Sequence, residues 1–230
     1  MTYSVVTVNA GHSAKAPGAS GNGYREHEVA RTLKDKLIKA LNAVGQKTAD
    51  TTSDAGDKNA VLAEQVRKCN AVIKNGRLDV AIHLNAGGGT GTEVLHFGAS
   101  TKALAAKVSA AIAKAGGYRD RGAKQRQDLY FLRNTNAPSI LIEVCFIDNA
   151  DDMRKLMAQM DAIVNAIVKA ITGKVAPAPA KPKSAYEIEL EQAVDWAKAA
   201  GVSDGTRLND ACTRGQVIMM LYRLSKGAVK

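Results

Sequence analysis

Apolar positions change their period along the first 174 residues, and each change marks an element. Residues 3–9 are rich in β-branched side chains and predict a strand, followed by a glycine-rich loop through Gly23. From Glu26 onward Val29, Leu33, Leu37, Leu41 and Val44 recur at helical spacing, and Gly45 closes that helix. Val61, Leu62, Val66, Cys69 and Ile73 predict a second helix ending near Gly76. Residues 78–84 and 92–97 read as short apolar strands separated by a glycine-rich turn. Leu104, Val108 and Ile112 mark a third helix. Residues 139–146 are the most continuous apolar strand, which suits burial on both sheet faces. Met153, Leu156, Met160, Ile163, Ile167 and Ile171 outline a last long helix.

Strands alternating with helices predict an α/β fold with a mostly parallel central sheet flanked by helices. In such folds sites form at the carboxyl ends of strands. The pattern then stops. Residues 175–183 are almost all Ala, Pro and Lys, an extended and semi-rigid spacer holding three of the chain's five prolines. Beyond it, Ile188, Leu190, Ala193, Val194 and Trp196 outline one helix. Val217, Ile218, Leu221 and Leu224 outline another, opened by Thr213 as N-cap. The predicted organisation is an α/β domain over 1–174, a linker over 175–183 and a small all-α C-terminal domain over 184–230.

Composition narrows the picture. Hydrophobic residues make up 46 % of the 230 but aromatics only 4 %, so the core must be built from Ala, Val, Leu and Ile. No stretch approaches the roughly 18 apolar residues of a membrane span. The first residues lack the basic start and cleavage site of a secretory signal, so the expectation is synthesis in the cytoplasm and action only after release. Cys69 and Cys145 fall on apolar patterns and read as buried free thiols; with Cys212 the count is odd, which argues against a disulfide framework. A net charge of +10 points to an anionic partner. No basic run alternates with aromatics, so nucleic acid is not favoured over other anionic polymers.

Two imidazoles and two carboxylates stand where predicted strands end or helices begin: His12, Glu26, His83 and Glu143. Two histidines and one carboxylate around an open fourth position are a common ligand set for hydrolytic zinc. The ligand spacings of 14 and 57 residues form no short motif, and Glu26 could simply be an acid favouring a helix N-terminus. Glu28, two residues on, is the alternative ligand. Glu143 lies inside an apolar strand and needs a partner there. His27 and His96 read as structural or surface residues. Gly87-Gly88-Gly89 is no phosphate loop, since no Lys-Ser/Thr follows it, and reads as a flexible rim beside His83.

Four blocks in this order resemble the zinc-dependent N-acetylmuramoyl-L-alanine amidases of the amidase-3 type, which cut bacterial cell wall and occur in many phage endolysins. They are Val8-Asn9-Ala10-Gly11-His12 with Gly18 and Gly21, Arg25-Glu26-His27-Glu28-Val29, Ile82-His83-Leu84-Asn85-Ala86, and Ile142-Glu143-Val144-Cys145-Phe146-Ile147-Asp148-Asn149. Ala81 stands where the family commonly has Ser, and Cys145 where it has Gly; neither is a ligand position. The resemblance implies His12, Glu26 and His83 as Zn2+ ligands and Glu143 as the catalytic carboxylate, with Asn85 orienting the site. It implies a phage-type lysin that hydrolyses the amide between the lactyl group of N-acetylmuramic acid and L-alanine in peptidoglycan. Two rival readings are a zinc peptidase cutting the stem peptide and a catalytically inactive wall-binding protein.

Residues 193–205 and 213–216 resemble part of a surface-layer-homology-type repeat, which implies a cell-wall-binding domain meeting wall carbohydrate or anionic polymer through Trp196 and Arg214. The plainer alternative is a helical hairpin with Trp196 as its core. Fewer than about 50 residues can barely bury a core alone. Pairing with a second copy, as a dimer, or with the first domain is therefore expected; neither nucleic acid nor a membrane is an expected partner.

Overall fold

Each switch between period two and period 3.6 in the first 174 residues becomes a change of element. In the computed structural model, which describes residues 3–177, 184–201, 203–206, 208 and 210–225, strand β1 (Val5–Ala10) is followed by a short hairpin, β2 (Ser20–Gly21) and β3 (Tyr24–Arg25). Then come α1 (Glu26–Ala43), β4 (Thr48–Asp50), α2 (Lys58–Ala71), β5 (Arg77–Asn85) and β6 (Thr92–His96). α3 (Ala99–Gly116), β7 (Asp120–Gln125), α4 (Tyr130–Asn134), β8 (Ser139–Phe146) and α5 (Ala150–Thr172) complete the α/β part.

The main sheet runs β4-β1-β5-β8-β6-β7. Every pairing in it is parallel except β6 with β8, so the predicted mostly parallel sheet flanked by helices is what forms. Alternation along the strands sorts side chains to two faces. Val6, Val8, Leu78, Val80, Ile140, Ile142 and Val144 join α1, α3 and α5 in one large apolar cluster. Ala81, Leu95 and Leu141 point the other way and meet Val66 and Cys69 of α2 and Phe131 and Leu132 of α4 in a smaller one. Two short helices cover that second face only partly, which leaves room for a groove.

Beneath α2 the sheet interior is polar. Arg77 and Asp79, both fully buried, pair at 2.9 Å, and Thr7 donates to Asp79 at 2.6 Å. The same guanidinium bonds Val72 O, Asn70 and Asn136, tying the end of α2 to the turn before β8. An ion pair so deep depends on this full set of partners to offset its desolvation.

Several expectations are corrected. Ile73 does not extend the α2 stripe; the helix ends at Ala71 and Ile73 is 70 % exposed. The strand β7 and helix α4 carry too little apolar pattern to be legible. Cys69 and Cys145 are buried free thiols as expected, while Cys212 is exposed. Gly87-Gly88-Gly89 is not a loose rim. Asp148 accepts the Gly87 and Gly88 N–H groups at 2.8 Å each, Asn149 Nδ2 donates to Gly89 O, and the Phe146 ring fills the space a Gly89 side chain would need.

The chain divides into two compact units, Met1–Ala178 and Pro179–Lys230. Of the predicted linker, residues 178–183 lie outside the described residues, and Ala176 is buried against the first unit's core. The second unit contains α6 (Ala185–Ala199), opened by a capping box between Ser184 and Glu187, and α7 (Arg214–Ser225). Thr213 caps α7 as expected, accepting from Gln216 N–H at 3.2 Å. Trp196 is no core residue; it is 52 % exposed, and Val217 to Tyr222 of α7 are all exposed too. No helix among the described residues is long and apolar enough to cross a membrane.

Candidate metal centre

Two strand ends and one helix start bring the predicted ligands together. His12 follows β1 and holds φ at 68°, a left-handed conformation that a non-glycine residue adopts only under local constraint. Glu26 is the first residue of α1, where a negative charge also suits the helix N-terminus. His83 stands near the carboxyl end of β5. One donor atom from each of the three lies within 4.8 Å of the others.

The Glu26 carboxylate is the hub. Its Oε1 faces His83 Nδ1 at 3.0 Å and accepts Leu84 N–H at 3.2 Å. Oε2 faces His12 Nε2 at 3.2 Å and accepts Ala19 N–H at 2.9 Å. The two imidazoles meet edge to face at 5.1 Å. Glycine makes this convergence possible: a Cβ on Gly11 would lie 2.2 Å from His83, and one on Gly18 2.5 Å from Glu26 Oε2.

These residues fit a small divalent cation. Bonds of about 2.0–2.1 Å in tetrahedral geometry place neighbouring donor atoms about 3.3 Å apart, close to the 3.0 and 3.2 Å seen between Glu26 and the histidines. Burial alone would raise the Glu26 carboxyl, but hydrogen bonds and charge from His12 and His83 outweigh it and hold the group well below the usual carboxylate range. Glu26 is thus an anion facing two ring nitrogens, the donor set zinc favours. For His83 burial pulls the other way, yet Glu26 and Glu143 together raise its pKa.

Glu143 sits beside this set by sheet register. In β8 it is directly paired with His83 of β5 and, on its other side, with Glu93 of β6. Its Oε2 is sealed from solvent and has no hydrogen-bond partner among the described residues. Burial first, then the charges of Glu26 and Glu93, push its carboxyl up to about 7 against the opposing pull of the two imidazoles. A carboxyl poised near neutrality beside a candidate cation site is suited to accept and return a proton.

Sequence reasoning missed Glu93. Its two oxygens accept Asn85 Nδ2 at 3.0 Å and Arg121 Nε at 2.8 Å. The signal was available, since Glu93, like Glu143, is an acid in an apolar strand. Asn85 thus meets Glu93, the neighbour of Glu143 in the sheet. Glu28 is exposed and pairs with Arg25, so it does not join the site. His27 is buried with its Nε2 3.9 Å from Glu28, and His96 faces Gly98 O at 2.9 Å. A groove of about 240 Å3 leads from His12, His83 and Glu143 between α2 and α4.

The family profile described as N-acetylmuramoyl-L-alanine amidase matches residues 6–173. The chain belongs to this amidase family. An uncharacterized protein of Clostridium perfringens, CPE1502, is 32 % identical over 186 residues, 77 % of this chain and 54 % of that protein. The endolysin of Bacillus phage SPP1 is 32 % identical over 175 residues, 72 % of this chain and 62 % of its own length. The chain thus spans less than two thirds of each of these two relatives. The solved catalytic domain of CwlV, an N-acetylmuramoyl-L-alanine amidase from Bacillus (Paenibacillus) polymyxa, superposes with a TM-score of 0.65 at 26 % identity, over 75 % of this chain and 97 % of that domain.

Proposed function

We propose that this amidase is a zinc-dependent lysin that hydrolyses the amide between the lactyl carbonyl of N-acetylmuramic acid and L-alanine in bacterial peptidoglycan. The observation that carries the reading is the register pairing of Glu143 with His83, beside a carboxylate–imidazole set that fits zinc. His12, Glu26 and His83 would hold the ion. Bound there, zinc supplies Lewis acidity, polarising the amide carbonyl and lowering the pKa of water to about 7.

The protein's own residues do the rest. Glu26, fixed by two backbone N–H groups, keeps both imidazoles aimed at one point. Glu143 takes the proton from the attacking water and returns it to the alanine nitrogen as the C–N bond breaks. The apolar wall of the groove limits bulk water around that carboxyl. The likeness to a phage endolysin supports a lytic role. For the C-terminal unit we propose wall binding, with Trp196 and Arg214 exposed on α6 and α7, and association with a second copy through the bare apolar surface of α7.

Digestion of purified peptidoglycan with mass analysis tests the assignment. Stem peptides beginning with L-alanine, lost on chelation and restored by zinc, are expected. Glu143→Gln should still bind zinc and wall while kcat falls by about 100- to 10,000-fold. Cuts within the stem peptide would instead make it a metallopeptidase, and no cuts on several wall types would make it a binding protein.

A further inference from the structure

The groove beside the metal centre has a wall that the hydrolytic chemistry does not use. Its floor is the apolar side of the sheet, including Leu95 and Leu141, and α2 and α4 rise on either side. Lys58 stands on the α2 wall and Arg126 in the segment between β7 and α4, while Glu143 and the two histidines close the inner end. Arg126 is already engaged by Asp128, whose two oxygens accept its guanidinium at 2.8 and 2.7 Å. Lys58 is exposed and makes no ion pair among the described residues.

Its position also runs against the electrostatics of its own helix. Lys58 is the first residue of α2, no acid occupies the first turn, and the Asp57 cap is spent on the Asn59 and Ala60 N–H groups. A cation at a helix N-terminus is unfavourable by a few tenths of a kcal/mol to about 1 kcal/mol. Lysine and helix terminus together make this wall attractive to an anion that enters the groove.

We propose that Lys58 is a specificity-determining residue that binds a carboxylate on the peptide side of the scissile amide. This rests on the amidase reading above. A glycan strand continues in both directions and needs an open cleft, whereas a peptide branch can enter a short, walled groove end on. In the stem peptide the residue after L-alanine is a D-glutamate joined through its γ-carboxyl. Its α-carboxylate therefore stands one residue from the bond to be cut, either free or capped as a carboxamide. The methyl of alanine and the methylenes of the glutamate suit the apolar floor, and the free carboxylate suits the ammonium of Lys58. Lys58 thereby makes the enzyme favour walls whose second stem residue is not amidated.

The test compares two synthetic muramoyl peptides, one with D-isoglutamate and one with D-isoglutamine after L-alanine, using the full chain loaded with zinc. The isoglutamate form should be cut with about tenfold higher kcat/KM, carried by KM. Lys58→Met should bring it down to the level of the isoglutamine form, and Lys58→Arg should keep the preference. Equal kcat/KM for the two substrates, or a preference that survives Lys58→Met, would overturn the proposal while leaving the amidase reading intact. If the parent protein frees no peptide beginning with L-alanine from either substrate, both fall together.

Discussion

Glu143 shows how much one residue's meaning depends on its neighbours. Its carboxyl titrates near 4.5 in an unfolded chain and is pushed up to about 7 in the folded one by burial and by the charges of Glu26 and Glu93. Below pH 4.5 the group is protonated in both states and costs nothing. Between pH 4.5 and about 7 the unfolded carboxyl gives up its proton while the folded one keeps it, so stability is lost across that window and levels off above it. Metal-free Glu143→Gln should therefore exceed the parent by on the order of 1–3 kcal/mol at pH 8, and by little at pH 4. Urea denaturation in the presence of a chelator measures the difference; a gap that does not change with pH would mean that the carboxylate is well solvated. Gly11 and Gly18 act at the same scale: their lack of a side chain lets imidazole and carboxylate come within reach.

At the scale of elements, strand register does what no side chain could do alone. Pairing β8 with β5 on one side and β6 on the other lays His83, Glu143 and Glu93 in a row across the sheet. The row is held from below by the buried pair of Arg77 and Asp79, which joins α2, β5 and the turn before β8. Arg77→Ala would leave Asp79 charged and unpaired in the interior, at an expected cost of about 3–5 kcal/mol in chemical denaturation. Replacing both with apolar residues should recover much of that loss; no recovery would show that the remaining hydrogen bonds, not the uncompensated charge, dominate. Helix α5 contributes through its first turn. Buried Asp152 accepts Thr90 Oγ1, Gly91 N–H and Phe146 N–H, fixing the loop that follows β5.

The whole molecule is two units of unequal self-sufficiency. The first holds both apolar clusters, the entire main sheet and the candidate metal centre. The second exposes Trp196 and a run of apolar side chains on α7, so its helices leave unburied the surface that usually stabilises a hairpin. A protein ending at residue 177 should cut soluble wall fragments at near the parental rate. On intact walls it should act about tenfold more slowly or worse, because the wall tethering proposed for the second unit would raise local concentration. Equal rates on both substrates would remove wall targeting from the C-terminal unit. The net charge of +10 adds a salt dependence. Lysis should slow as ionic strength rises past about 0.15 M, where exposed charges are screened beyond about 8 Å.

Local pattern was enough to read the α/β alternation, the helices α1, α3 and α5, and the bounds of β8, because burial imposes a period on each of them. It was also enough to single out His12, Glu26, His83 and Glu143, since charged or imidazole groups at strand ends and inside an apolar strand need partners. Tertiary structure alone decided the choice of Glu26 over Glu28, because two residues of helical rotation turn one carboxylate inward and the other to solvent. It decided the place of Glu93 beside Glu143, which follows from an antiparallel register that no single strand encodes. It also decided the groove, whose walls come from α2 and from the weakly patterned segment around α4, brought together only when the sheet forms between them.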